Sequence, residues 1–173
     1  MTDSRAVQRT SHRRSRGDWL LLAGLLVLTL AVGQIGRFPA QANQDWYDSL
    51  AQLAIKPPGW AFPVAWTLLF VLMAVAAWLV WRAAVAAGTP SRARGPLLLW
   101  GLQLAVNCTW PFVFFGAQAP LPALLVILLL FALVALTARS FAGLSRPAAW
   151  LLAPYLLWLG YAALLNGGIV VLN

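Results

Sequence analysis

Five long stretches of this chain carry no ionisable group near their middles, and that absence limits the possible folds more than any single motif does. They run over residues 19–35, 60–82, 96–116, 121–138 and 147–173. An α-helix needs roughly 20 consecutive apolar residues to cross the hydrocarbon of a bilayer, with about 17 as the lower limit, and each stretch meets that requirement. The pattern predicts an all-α membrane protein, a bundle of five transmembrane helices over residues 19–173. With 62% hydrophobic and 9% charged residues, the composition is far from that of a soluble globule. Residues 1–18 are polar, Arg-rich and without hydrophobic periodicity, and are expected to form a disordered tail. A basic segment ahead of a Leu-rich core also suits a cleaved signal peptide. No clear small-x-small cleavage site follows the core, and Gln34, Gly36 and Arg37 look more like a helix end.

The formal charge of +8 would suggest nucleic acid in a soluble protein. Here no aromatic-basic module or helix-turn-helix accompanies the charge, and nucleic-acid binding is not expected. Five basic residues, Arg5, Arg9, Arg13, Arg14 and Arg16, sit in the tail. With Arg82, Arg92, Arg94, Arg139 and Arg146 they put ten of the twelve Lys and Arg on one side of the bilayer, against Arg37 and Lys56 on the other. That bias predicts a cytoplasmic N-terminus, on the assumption of a bacterial cell membrane. The single cysteine, Cys108, has no intrachain partner, and His12 has no other candidate ligand nearby, so neither a disulfide nor a metal site is expected.

One ordered-looking interruption remains. Trp46-Tyr47-Asp48-Ser49-Leu50 leads through Pro57 and Pro58 to Trp60, Phe62, Pro63 and Trp66. The prolines forbid a continuous helix from about Trp46 to Gly59 and suit the first turn of the second span. The stretch reads as a lid, over about residues 37–59, that enters a membrane helix.

Within the spans the polar side chains are amides and indoles. Gln103, Asn107, Trp110 and Phe114 share one face of the third span, and Phe62, Trp66, Phe70 and Met73 one face of the second. Trp158, Ala162 and Asn166 follow at four-residue intervals in the fifth, with Tyr155 three before Trp158. Plainer roles compete with a site. Trp19, Trp60, Trp81 and Trp150, near span ends, read as interfacial anchors, and Asn107 and Asn166 as hydrogen-bonding glue between helices. Trp66, Trp110 and Trp158 suit a flat aromatic guest, which needs stacking faces and a few donors. Without buried acids, bases or metal ligands in the spans, neither ion-coupled transport nor acid-base catalysis is expected, and no catalytic residue is assigned.

These strings resemble the TspO/MBR family, the tryptophan-rich sensory proteins of bacteria and the translocator proteins, or peripheral benzodiazepine receptors, of mitochondria. The likeness rests on Trp46 to Leu50, on Pro57-Pro58 through Phe62 to Trp66 and Met73, and on Gln103 to Trp110 with Phe114-Phe115. Its most specific part is Pro154-Tyr155-Leu156-Leu157-Trp158 with Ala162, Leu165-Asn166, Ile169 and Leu172-Asn173. The resemblance covers about residues 19–173. It implies a five-helix bundle, commonly a homodimer, whose first loop closes over a cavity for porphyrins and synthetic isoquinoline or benzodiazepine ligands. The implied cavity residues are Trp46, Tyr47, Phe62, Trp66, Asn107, Trp110, Trp158, Ala162 and Asn166. Two departures stand out. Many members have a Lys-Pro-Trp-Trp-like run before the proline pair, where this chain reads Gln52-Leu53-Ala54-Ile55-Lys56. No Lys or Arg follows Tyr161, so the sterol motif of animal members is not matched.

The expected function is that of a membrane-embedded, non-enzymatic binder of tetrapyrroles, with porphyrin or haem as ligand rather than cofactor, acting as a sensor or in transport. Two rivals are a light-dependent porphyrin-degrading enzyme that uses an indole as redox partner, and a scaffold whose amides only hold helices together. Gly101 and Ala105, one turn apart on the third span, would permit close contact in a homodimer.

Overall fold

The computed structural model describes the backbone of residues 3–173 and the side chains from residue 17 onward. Among the described residues seven α-helices follow in order: α1 Asp3–Ala42, α2 Gln44–Ser49, α3 Ala61–Ala86, α4 Arg94–Pro111, α5 Pro120–Ala142, α6 Arg146–Trp150 and α7 Ala153–Leu172. A 3-10 turn, Pro90–Ala93, leads into α4, and a π turn, Phe112–Gly116, ends it. Five helical segments are long and apolar enough to cross a membrane, namely Gly17–Ala42, Ala61–Ala86, Pro90–Gly116, Pro120–Ala142 and Arg146–Leu172. Among the described residues there is no strand. In hydrocarbon every backbone donor and acceptor must be satisfied inside the chain, and continuous helices meet that demand. The five-helix all-α bundle is therefore as expected.

Helix α1 packs on α3 and α4, α4 on α5, and α5 on α7, while α6 touches both α3 and α5. Met73, Ala77 and Val80 of α3, Leu104 of α4, Ile127 and Val134 of α5 and Leu159 of α7 belong to one buried cluster. Small residues keep the helices close, since Ala74, Ala76, Ala77 and Ala84 along α3 have no solvent-accessible surface. Leu98, Leu102, Leu125, Leu129, Leu157 and Val171 point outward, as lipid-facing side chains do. At the end away from the lid, Trp78 Nε1 donates to the Asp18 carbonyl at 2.8 Å and the Arg82 guanidinium lies 4.7 Å from the Trp78 ring. Arg82 also pairs with Asp18 at 3.7 Å, so this cluster ties the start of the first span to the end of the second. Trp19, Trp60 and Trp150 are exposed near span ends, as anchors should be, whereas Trp81 is partly buried against the core.

Four boundaries differ from the sequence expectation. Helix α1 does not end near Ile35 but continues through Pro39 to Ala42. Proline removes one intrahelical donor, the one that would meet the Ile35 carbonyl, and the helix runs on for three residues beyond it. The lid expected over 37–59 accordingly begins as helix, forms α2, and is irregular only over residues 50–60. The fifth span is not continuous: it breaks between α6 and α7, because the Pro154 ring collides with the carbonyl four residues back, that of Trp150. Beyond Pro111 the third span widens into the π turn. The tail expected over residues 1–18 lies mostly outside the described side chains, and its described backbone, from Asp3, is helical.

Candidate functional site

A cavity of about 670 Å³ opens at the lid end, enclosed by α1, α3, α4 with its π turn, α5 and α7, with α2 and Lys56 at its mouth. Such a volume falls within the range of small-molecule sites. Eight of the nine residues assigned from sequence line it: Tyr47, Phe62, Trp66, Asn107, Trp110, Trp158, Ala162 and Asn166. The ninth, Trp46, does not. Its ring packs edge-on against Phe114, centroids 5.6 Å apart, in a small cluster that also holds Leu50 and Ile169. On the short helix α2 the neighbours Trp46 and Tyr47 project about 100° apart, so one of them turns to the wall and the other to its support.

The indoles form two groups. Trp66 and Trp158 meet edge to face at 6.3 Å, and Phe62 meets Trp158 at 6.0 Å, so α3 and α7 face each other through aromatic rings. Trp110 instead stacks on Phe114 at 5.1 Å with planes 19° apart, and Phe115 closes edge-on against Phe114 at 4.8 Å. The π turn supplies Phe114 and Phe115. Both line the cavity.

Polar groups are few and specific. Asn107 Nδ2 donates to the Tyr155 hydroxyl at 2.6 Å, linking α4 to α7. Asn166 Nδ2 donates to the Pro120 carbonyl at 2.8 Å, linking α7 to α5. Each amide is thus both interhelical link and cavity wall. Gln103, by contrast, is buried beside Met73 away from the cavity, its Nε2 lying 3.6 Å from the thioether sulfur. Three buried polar atoms of lining residues have no hydrogen-bond partner among the described residues: Trp110 Nε1, Trp158 Nε1 and Asn166 Oδ1. Leaving a buried polar atom unpaired is costly, and each of these has almost no accessible surface, so a guest would meet it only after neighbouring side chains shift.

The lid is fastened to α7 at three points. Asn173 Oδ1 accepts from the Ala51 amide at 3.0 Å while its Nδ2 donates to the Ala51 carbonyl at 3.1 Å. The Tyr161 hydroxyl donates to the Ile55 carbonyl at 2.7 Å. Between them Leu53 rests on Gly168, where an added Cβ would stand 2.5 Å from the Leu53 side chain. Tyr47, on the lid, has its phenol pushed above the ordinary value of 10.0 by burial and then by the charges of Asp48 and Tyr161.

Several wall residues escaped the sequence reading. Phe70 and Phe114 were named on the stripes of the second and third spans but were not assigned to the cavity, which both line. Gly33 is different, because it lets Phe70 reach α1: a Cβ there would lie 2.5 Å from the ring. Nothing local marks that crossing. Tyr161, Arg37 and Lys56 also line the cavity and carried no motif signal.

Fold and site together define a five-helix membrane protein with an aromatic-walled cavity under a lid. The TspO/MBR family model matches residues 24–172. The chain is 38% identical to the tryptophan-rich protein TspO of Chlorobaculum tepidum, over 89% of this chain and 96% of that one. It is 40% identical to the translocator protein of Ovis aries, over 86% and 87%, and 35% identical to the tryptophan-rich sensory protein of Cereibacter sphaeroides, over 90% and 93%. The chain belongs to the TspO/MBR family.

Proposed function

We propose that this protein is a non-enzymatic, membrane-embedded binder of tetrapyrroles and similarly flat hydrophobic molecules, acting as a sensor or in their transport. The observation that carries the reading is the set of three indoles around one cavity. Aromatic walls supply faces for a planar ring, and apolar burial at about 25 cal/mol per Å² supplies several kcal/mol before ordering costs. The relatives named as sensory and translocator proteins are consistent with binding rather than turnover. The test is titration of the purified protein with protoporphyrin IX followed by tryptophan fluorescence. Saturable quenching that is lost in the Trp66→Ala, Trp158→Ala double variant supports the reading. Quenching no greater in the wild type than in that variant overturns it.

The adjacency of Trp66, Trp158 and Tyr161, with the last two 5.8 Å apart, favours a second reading, light-dependent porphyrin degradation. Product formed under illumination, and abolished by Trp158→Phe while binding persists, would select that enzyme. The same proposal places the protein in a bacterial cell membrane, as a homodimer, with its N-terminus in the cytoplasm and the lid outside. Ten of the twelve basic residues fall on the side opposite the lid by that topology.

A further inference from the structure

Acidic residues are missing from most of the chain. Residues 49–173 contain no Asp or Glu, yet they carry Arg82, Arg92, Arg94, Arg139 and Arg146 at the end of the bundle away from the lid. Arg82 is accounted for, paired with Asp18 at 3.7 Å and set over the Trp78 ring. The other four are exposed, and among the described residues no carboxylate lies within 4.0 Å of any of them. The two connectors that bear them are held firmly. Ala93, with no accessible surface, belongs to the core cluster and fixes the 3-10 turn on α3, so that Arg92 and Arg94 stand exposed on either side of it. Ala148, also without accessible surface, seats α6 against α3 and α5, and its amide donates to Ser145 Oγ at 3.4 Å where that helix starts. Three of the arginines also have a large exposed apolar side chain one helical turn nearer the middle of the span. Leu98 follows Arg94, Leu136 precedes Arg139 and Trp150 follows Arg146.

Four like charges fixed at one end of a bundle repel one another and draw counter-ions. Where a membrane helix leaves the hydrocarbon, the anion at hand is the phosphate of a lipid headgroup, and the planar fork of arginine can meet two of its oxygens at once. We propose that this end of the bundle is a binding site for anionic phospholipids, with Arg92, Arg94, Arg139 and Arg146 taking the phosphates and the acyl chains lying along Leu98, Leu136 and Trp150. A zwitterionic phospholipid offers the same phosphate but brings a cation of its own, which the arginines repel, so the site discriminates by net headgroup charge. This role is distinct from setting orientation. Topology depends on how many basic residues a connector holds, whereas a lipid site needs them pinned beside apolar surface. The inference does not depend on what the lid-covered cavity binds.

The test is native mass spectrometry of the full chain, released from a non-ionic detergent, with phosphatidylglycerol or phosphatidylcholine of identical acyl chains. The wild type is expected to bind phosphatidylglycerol about tenfold more tightly, the scale of charge-assisted contacts to a headgroup. Changing all four arginines to Gln should bring the ratio to about one. Either pair alone, Arg92→Gln with Arg94→Gln or Arg139→Gln with Arg146→Gln, should lower it about threefold, which keeps the test decisive if loss of four charges disturbs insertion. The Arg37→Gln, Lys56→Gln double variant removes as much charge from the lid end and should leave the ratio unchanged. Equal binding of the two lipids by the wild type overturns the proposal, and so does a ratio that falls as far in the lid-end variant as in the arginine pairs.

Discussion

Asn107 illustrates how one side chain serves both packing and site. Its amide donates to the hydroxyl of Tyr155, which is 1% exposed, and removal would leave that hydroxyl buried without its partner. Asn107→Ala is expected to cost about 1–2 kcal/mol, the scale of an interhelical hydrogen bond plus an orphaned polar group. A thermal-unfolding scan in detergent checks this, and ligand affinity measured alongside should also fall, since Asn107 lines the wall. Loss of stability with affinity unchanged would leave the amide as interhelical glue only. Tyr47 gives a pH prediction. With the lid undocked its phenol ionises near the ordinary 10.0, and with the lid docked it ionises only at higher pH, because of burial and the nearby Asp48. Above 10.0 the undocked form releases a proton that the docked form keeps, so docking weakens as the pH rises and is unaffected below. Ultraviolet titration of the phenolates should show a component above the free value that Tyr47→Phe removes.

Among the elements, the lid and α7 form a pair whose strength a single glycine controls. Gly168→Ala should favour α7 by about 1 kcal/mol of helix propensity. The new methyl would stand 2.5 Å from Leu53 Cδ1 and 2.6 Å from its Cγ, so Leu53 must leave its seat. The variant is therefore expected to keep or gain global stability while its lid loosens. Faster amide exchange over residues 50–56, together with faster porphyrin dissociation, is the predicted result, and Asn173→Ala should act in the same direction by removing both hydrogen bonds to Ala51. Slower exchange in either variant would show that the lid is held elsewhere. The π turn after α4 contributes Phe114 and Phe115 to the wall beside Trp110.

For the whole molecule, the bundle leaves Ala105 and Leu102 exposed on the outer face of α4, with Gly101 partly so. Nothing lies within 4 Å of a Cβ placed on Gly101. If a homodimer uses this face, Gly101→Leu should abolish the crosslinked dimer in bilayers while leaving the monomer's fold intact, because the position is open, with nothing within 4 Å of an added Cβ. A crosslinked dimer that persists would place the interface elsewhere. Membrane architecture was legible in the linear chain because hydrophobicity over a span is additive: the five spans and the absence of charge at their centres need no partner to be read. The α3 and α7 stripes were legible for a similar reason, since helical periodicity puts Phe62, Trp66, Trp158 and Ala162 on definite faces. The positions of Trp46 and Trp81 were not, because adjacent aromatics on a short helix, or an indole near a span end, are sorted only by what packs beside them. The π turn, the break before α7, the Phe70 contact over Gly33 and the seat of Leu53 on Gly168 likewise depend on residues far apart in the chain meeting in space. The sequence alone thus determined that the chain is a five-helix membrane bundle with indole-bearing faces, through local hydrophobicity and period. Only the tertiary structure decided which of those faces enclose a cavity, and where the lid is fastened, because steric fit between helices is a property of their packing and not of any one of them.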